Sequence, residues 1–362
     1  MAIPEHRILS HDRPNHDFKV KLDTLFKIIT YGCFLQVILM AGCRENPHPV
    51  LKAAKEASIT VTDFTGHELF FDRPPERVVC LIESALSGLY MLQVQSKVVA
   101  VPGDVYKEKT FHYYSQLDIR IKERSLPAPG NWDFINIEQI IGLRPDLVMI
   151  WASQTEAIDN LQQFGIPVYS VMLHDFEDVF KELRDFGKIF GCTARTDSLV
   201  SFTRTNLEKT KAAHKTSDPI SVYFMWAQGI NETSGRNSTV EELLNYAGVR
   251  NVCDLDQEHV TVSMEKLIEW NPGMIVMWYN EKLDPEDILK NPVLQGLDAI
   301  RNRMVYELPE VFTCDFWTLK MQYPAKVIAA WAYPGQYMVF DRDAELEDLF
   351  GILYGKEIKV NE

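Results

Sequence analysis

Five tryptophans stand where a chain presents side chains rather than hides them. Trp132, Trp151, Trp226, Trp278 and Trp317 all fall at the ends of strand-like apolar runs or in loops. An indole offers a wide flat apolar face and a single N–H donor, so several of them around a cleft suit a large flat or greasy ligand. Arg236, in the polar turn Thr233 to Ser238, is the best cationic candidate to orient that ligand, and His112 and His259 are imidazoles able to ligate a metal should the ligand carry one. Trp270 and Trp331 lie inside helical patterns and read as core.

Two of these tryptophans close two copies of one phrase. Asn136 to Trp151 and Ser263 to Trp278 align without a gap at an offset of 127 residues, sharing Glu138 with Glu265, Pro145 with Pro272 and Trp151 with Trp278. Each copy begins with a residue able to cap a helix and continues with apolar residues at helical spacing, Ile137, Ile140 and Ile141 or Met264, Leu267 and Ile268. A proline then ends the helix, and Leu147 to Ile150 or Met274 to Met277 follows as a run apolar on both faces, the pattern of a buried parallel strand. Ligands of open α/β sheets sit beyond the carboxyl ends of the strands, which is where both tryptophans fall. Glu138 and Glu265 lie beside the apolar stripes of their helices and are expected to be exposed.

The remaining chain supplies two lobes around these copies. A hairpin is expected over Ile59 to Phe71, a buried strand over Arg77 to Ile82, a helix from Leu86 to Leu92 and a strand from Val98 to Val101. The stretch from Gly103 to Trp132 reads as loop-rich and aromatic. Phe176, Val179, Phe180, Leu183 and Phe186 keep helical spacing, and Thr193 to about His214 reads as one long helix stopped by Asp218 and Pro219. A strand over Val222 to Trp226, a helix over Thr239 to Ala247, a strand over Met304 to Leu308 and a last helix over Ala325 to Trp331 are expected beyond it, followed by a tail with few special features. The fold class is therefore α/β, two Rossmann-like lobes with parallel sheets joined by a single long connecting helix. The expected boundaries are 58–192 for the first lobe, 193–217 for the connector and 218–362 for the second. A helical connector resists bending, so only small lobe closure is expected.

Composition narrows the partners. A net charge of −14 without any basic run argues against nucleic acid. Six dispersed cysteines without C-x-x-C spacing argue against a structural metal, although Cys80, Cys192, Cys253 and Cys314 could include one disulfide in an oxidising compartment. At the N-terminus Lys19, Lys21 and Lys27 precede an apolar run from Ile28 to Met40, shorter than the ~20 residues of a membrane span. Met40, Ala41, Gly42 and Cys43 then resemble a bacterial lipobox, which implies a signal peptide over 1–42, lipid attachment at Cys43 and a polar tether over 43–57.

Taken together, the residues from 58 to 335 resemble the class III periplasmic binding proteins of ABC importers. The resemblance rests on Pro74-Pro75-Glu76-Arg77-Val78-Val79, both repeat copies, Thr233-Ser234-Gly235, the stretch Ala247 to Val252 and Asp315-Phe316-Trp317. It implies a lipid-anchored, extracytoplasmic, monomeric protein that hands a small molecule to permease subunits driven by a cytoplasmic ATPase, with Glu138 and Glu265 docking on the permease. Trp132 through Glu138, Trp151 and Gly229 through Gly235 are most similar to vitamin B12-binding members, which makes Trp132, Trp151 and Asp315 ligand contacts by resemblance.

No cofactor is expected; the ligand itself is expected to be a metal chelate. Catecholate complexes are highly anionic and call for several cations, of which the expected cleft offers few beside Arg236. A ferric hydroxamate-type siderophore is therefore favoured, with a corrinoid or haem as the alternatives. An anchored chelatase-like or hydrolytic enzyme is the rival from another class, although G-x-S-x-G, G-x-G-x-x-G and H-E-x-x-H are all missing from the sequence.

Overall fold

The computed structural model describes residues 59–214 and 218–360. The segment 1–57, with the signal peptide, the tether and Cys43, lies outside them.

Two four-stranded parallel sheets carry the chain. The first has the order β4-β3-β5-β6, from β3 (Val78–Cys80), β4 (Val98–Ala100), β5 (Leu147–Trp151) and β6 (Val168–Val171). The second has β7 (Ser221–Met225), β9 (Arg250–Asn251), β11 (Met274–Met277) and β12 (Val305–Glu307) in the order β12-β11-β7-β9. The repeat strands β5 and β11 are inner strands with a neighbour on each side, which is why their sequence is apolar without alternation. Two antiparallel pairs complete the strands: the expected hairpin β1 (Ile59–Thr62) with β2 (Glu68–Phe71), and the short β8 (Glu232–Thr233) with β10 (Val260–Thr261).

Both repeat helices form as their sequence dictates. In α4 (Ile137–Gly142) the Asn136 side chain accepts from the Gln139 amide at 2.9 Å, and in α9 (Met264–Trp270) Ser263 Oγ accepts from the Lys266 amide at 3.2 Å. Such caps contribute about 1 kcal/mol each. The copies also share a feature the sequence did not announce. Arg144 and Asn271, each just before the proline, take positive φ of 48° and 40°, turning the chain sharply from helix into strand.

Around the sheets run α1 (Glu83–Met91), α2 (Glu108–Leu117), α3 (Ile119–Lys122), α5 (Thr155–Gln163), α6 (Phe176–Phe190) and the connector α7 (Thr193–Ala213). The second lobe adds α8 (Thr239–Tyr246), α10 (Pro285–Leu289), α11 (Asp298–Arg301), α12 (Gln322–Ala332) and α13 (Arg342–Tyr354). The connector is 21 residues long, roughly 30 Å at ~1.5 Å per residue.

Two parts depart from expectation. The aromatic stretch after Gly103 is not mainly loop, because α2 lies within it and buries Tyr113 and Tyr114 completely. The tail is not featureless either. Leu346, Leu349, Phe350 and Leu353 fall at helical spacing and are buried in α13, which Asp341 caps and Gly355 ends at φ 66°. That helix packs on the first lobe: Tyr354 Oη lies 2.7 Å from Ser87 Oγ on α1, Arg195 Nη2 donates to the Leu353 carbonyl at 2.9 Å, and Phe350 meets the Tyr113 ring edge-on.

One apolar core consequently runs through both lobes, including Leu86 and Phe186 from the first, Val222 and Phe224 from the second, and Phe312, Phe316 and Phe350 between them. Smaller clusters sit on the outer faces of the two sheets. Cys80, Cys192, Cys253 and Cys314 are free thiols, so no disulfide joins these four.

Candidate functional site

The carboxyl ends of both sheets carry the predicted aromatic residues, but the two ends are built differently. In the second lobe β7 runs into Trp226, β11 into Trp278, and the segment after β12 into Phe316 and Trp317. These rings pack on one another: Trp226 to Trp278 at 5.7 Å, Trp278 to Trp317 at 6.0 Å, and Trp226 parallel to Trp317 at 6.2 Å. Phe316 touches all three, and His259 lies 4.9 Å from Trp226. Trp226 and Trp278 are 4% and 8% exposed and act as the backing, whereas Trp317 is half-buried and His259 exposed. The accessible aromatic face of this wall is therefore Trp317.

Asp315 fixes that face from behind. Its Oδ1 accepts from the Trp317 amide at 2.9 Å, and the side chain is 2% exposed, with Oδ2 at 3.7 Å from Nζ of the fully buried Lys320. Lys320 Nζ also sits 3.7 Å above the Phe312 ring. Burial opposes the lysine's charge, but Tyr354, Asp315 and Glu83 outweigh it and raise its pKa. Burial likewise raises the Asp315 carboxyl, against the pull of Lys320.

The first lobe offers fewer and barer aromatics. Trp151 ends β5 and is half-buried against the shared core. Trp132 is 64% exposed at the tip of a turn in which Asn131 Oδ1 accepts from the amides of Asp133 and Phe134 at 2.9 and 3.1 Å. Gln154, three residues beyond Trp151, donates to the carbonyls of Asn131 and Trp132 at 2.9 and 3.0 Å and so ties this turn to the end of β5. Gly130 closes the turn because a Cβ there would lie 2.5 Å from the Phe134 carbonyl.

Glu83 is not among the site residues expected from the sequence. It opens α1 directly after β3, its Oε1 accepts from Tyr114 Oη at 2.7 Å, and its carboxyl is pushed up to about 7, by burial first and by Asp315 against the opposing pull of Lys320. The clue was its position at a strand's carboxyl end, the rule already used for the tryptophans.

The lobes meet at both edges of this region. After β6, the Phe176 amide donates to Glu242 at 2.5 Å and the Phe176 and Tyr246 rings stack at 5.8 Å. After β4, Lys109 on α2 bonds the hydroxyl of Tyr279 and covers its ring at 4.0 Å. Arg236 is exposed in a turn locked to its neighbour loop by its own amide, which donates to the Leu255 carbonyl at 2.6 Å. A Cβ at Gly235 would fall 1.9 Å from that same carbonyl oxygen, so only glycine fits there.

The Nε2 of His112 lies 3.0 Å from Gln116 Nε2 and 3.3 Å from the Lys359 carbonyl. Among the described residues no three metal-capable side chains come together. Trp331 stacks on Tyr306 at 4.9 Å and Trp270 packs on the outer cluster of the second lobe, both as expected of core residues. Glu138 and Glu265 are exposed in the first turns of α4 and α9. The Glu265 carboxyl is held below its usual value by its own backbone and Ser263.

The periplasmic binding protein family matches residues 78–311, most of the two-lobed region. The chain belongs to that family. Among its relatives this periplasmic binding protein is 23% identical over 294 residues to the Bacillus subtilis uncharacterized ABC transporter substrate-binding lipoprotein YvrC, covering 77% of this chain and 88% of the relative. It is 24% identical over 241 residues to the vitamin B12-binding protein of Vibrio parahaemolyticus, covering 66% and 82%. The molybdate-bound structure of MolA from Haemophilus influenzae superposes with a TM-score of 0.70 at 18% identity, over 83% of this chain and 99% of that one, which shows the shared two-lobed fold. Among the described residues no helix is long and apolar enough to cross a membrane.

Proposed function

We propose that this periplasmic binding protein is the extracytoplasmic substrate-binding component of an ABC importer, and that it carries a metal chelate between its lobes, a ferric hydroxamate-type siderophore complex in first place. The observation that carries the reading is the stack of Trp226, Trp278 and Trp317, which turns one aromatic face outward at the ends of β7, β11 and β12, at the sheet end that Trp151 shares in the other lobe. A rigid aromatic wall of this kind gains most from a bulky ligand with apolar surface and few charges. The vitamin B12-binding relative supports a corrinoid as the second reading. Haem, with two carboxylates, suits the nearby Glu83 and Asp315 poorly. Trp132 and Trp151 would form the first-lobe contacts, Glu138 and Glu265 the paired handles for the permease, and Cys43 the lipid attachment that keeps the protein beside it.

Purified protein titrated with a ferric trihydroxamate, cyanocobalamin, haemin and molybdate, with tryptophan fluorescence as readout, tests this. Saturable quenching by one of the first two at a stoichiometry near one, with the ligand recovered unchanged, is expected. Quenching by none of the four, or release of a chemically altered chelate, would count against the binding-protein reading.

A further inference from the structure

At the base of the region between the lobes the charges do not balance. Glu83 is partly exposed at the start of α1. Tyr114 from α2, Asp104 from the turn after β4, Asp315 and Lys320 from the segment after β12, and Tyr354 from α13 surround it. Asp104 is matched by Lys107 at 2.6 Å. That leaves the carboxyls of Glu83 and Asp315 sharing the single ammonium of Lys320, itself 3.7 Å from Asp315. Beneath them lie Cys80 and Glu182, and Glu182 is pushed up to about 8 by burial, so it adds little charge at neutral pH.

Three further atoms at this place make no hydrogen bond: Ser84 Oγ, beside Glu83 on a residue 6% exposed, Asp315 Oδ2, on a residue 2% exposed and held only by its ion pair with Lys320, and Lys320 Nζ itself, which is wholly buried over the Phe312 ring. Buried polar atoms are normally paired, so capacity for a donor is left open beside an excess negative charge. Because Asp315 also positions the Trp317 amide, this polar spot adjoins the accessible aromatic face.

We infer, on the reading that the lobes hold a small molecule, that Glu83 is the residue selecting ligand charge, and that the ligand presents a cationic group to it while its apolar body lies on Trp317. An ammonium there supplies the missing positive charge, whereas a carboxylate, catecholate or oxyanion meets a second negative one in surroundings of low dielectric. The elevated Glu83 pKa is consistent with this, being the state of a carboxyl waiting for a counter-charge.

The test uses a linear ferric trihydroxamate carrying a pendent ammonium and the same chelate with that amine acetylated, so that the two differ by one charge. Wild-type protein is expected to bind the ammonium form about ten-fold more tightly at pH 8. The preference should fade as the pH falls through about 7, since Glu83 takes up a proton there while the amine stays charged. In Glu83→Gln, which keeps an acceptor for Tyr114, the two chelates should bind equally at every pH. Equal binding by wild type, or a preference that survives Glu83→Gln, overturns the inference while leaving the binding-protein reading intact. If Glu83→Gln does not fold, the wild-type pH profile decides alone, and a flat profile overturns it. Binding of neither chelate together with tight binding of molybdate or haemin also overturns it, and no binding of any of the four defeats the underlying reading as well.

Discussion

Trp151 and Trp278 hold the same place in two copies of one phrase, yet they have different tasks. Trp278 is 8% exposed and wedged among Trp226, Phe316 and Trp317, while Trp151 stands half-buried at the edge of its sheet. The copies agree in cap, helix, left-handed residue, proline and parallel strand, all backbone matters set by local sequence. They differ in what arrives from elsewhere: the second lobe receives Phe316 and Trp317 from the segment after β12, and the first receives Glu83 and the Trp132 turn. Duplication thus preserved a scaffold and left each lobe free to build its own wall, one apolar and preassembled, the other polar and open.

Removing the backing indole should have the largest effect. Trp278→Ala leaves a cavity behind Trp317 and is expected to destabilise the protein by about 4 kcal/mol in urea unfolding, against about 1 kcal/mol for Trp151→Ala at the equivalent place. Equal losses would mean that the two walls are not differently built. Conversely, Trp151→Ala should weaken chelate binding although the protein stays folded.

Lys320→Met probes the joint between the walls. It leaves Asp315 buried beside Glu83 without its counter-ion, for an expected loss of about 3 kcal/mol at pH 8. That loss should shrink in acid as the two carboxyls become neutral, and a pH-independent loss would assign Lys320 to packing alone.

Glu182 gives a smaller effect with a definite sign. Its carboxyl goes from an ordinary value of 4.5 to about 8 in the folded protein, burial being the main cause. The folded state therefore binds more protons than the unfolded one between these values. Its contribution to stability is full below about 4.5 and is lost as the pH rises through about 8. Glu182→Gln should flatten the decline of thermal stability between pH 5 and pH 8, roughly the window set by that shift, and an unchanged slope would assign the decline to other groups.

The smallest structural effect is expected from the matched acids. Glu138→Ala and Glu265→Ala should each change stability by less than about 0.5 kcal/mol and leave chelate affinity intact, because both side chains are exposed. Cells carrying both changes should nonetheless take up the chelate more slowly, and normal uptake would remove the proposed docking role.

Most of the fold could be read from the sequence because its signals are local. Caps at Asn136 and Ser263, the apolar runs of β5 and β11 and the uninterrupted pattern of α7 each depend on residues near at hand. The tryptophans were legible as a set, but which of them face outward was not, since exposure of Trp317 and burial of Trp226 follow from rings brought together across 91 residues of chain. Asp315 illustrates the same limit: only the family resemblance marked it as a ligand contact, whereas its burial beside the buried Lys320 depends on packing that no local pattern displays. The helix α13 differs from these. Its spacing of Leu346, Leu349, Phe350 and Leu353 was in plain view, and only its docking on the opposite lobe was hidden.

That docking links α13 to the first lobe. As synthesis proceeds, Tyr113, Ser87 and Arg195 emerge long before Phe350, Tyr354 and Leu353 exist to cover them. The early half must therefore wait, partly unclosed, until α13 has emerged from the ribosome, and a chain broken off before that helix would keep both sheets yet offer a sticky, unfinished flank to chaperones and proteases.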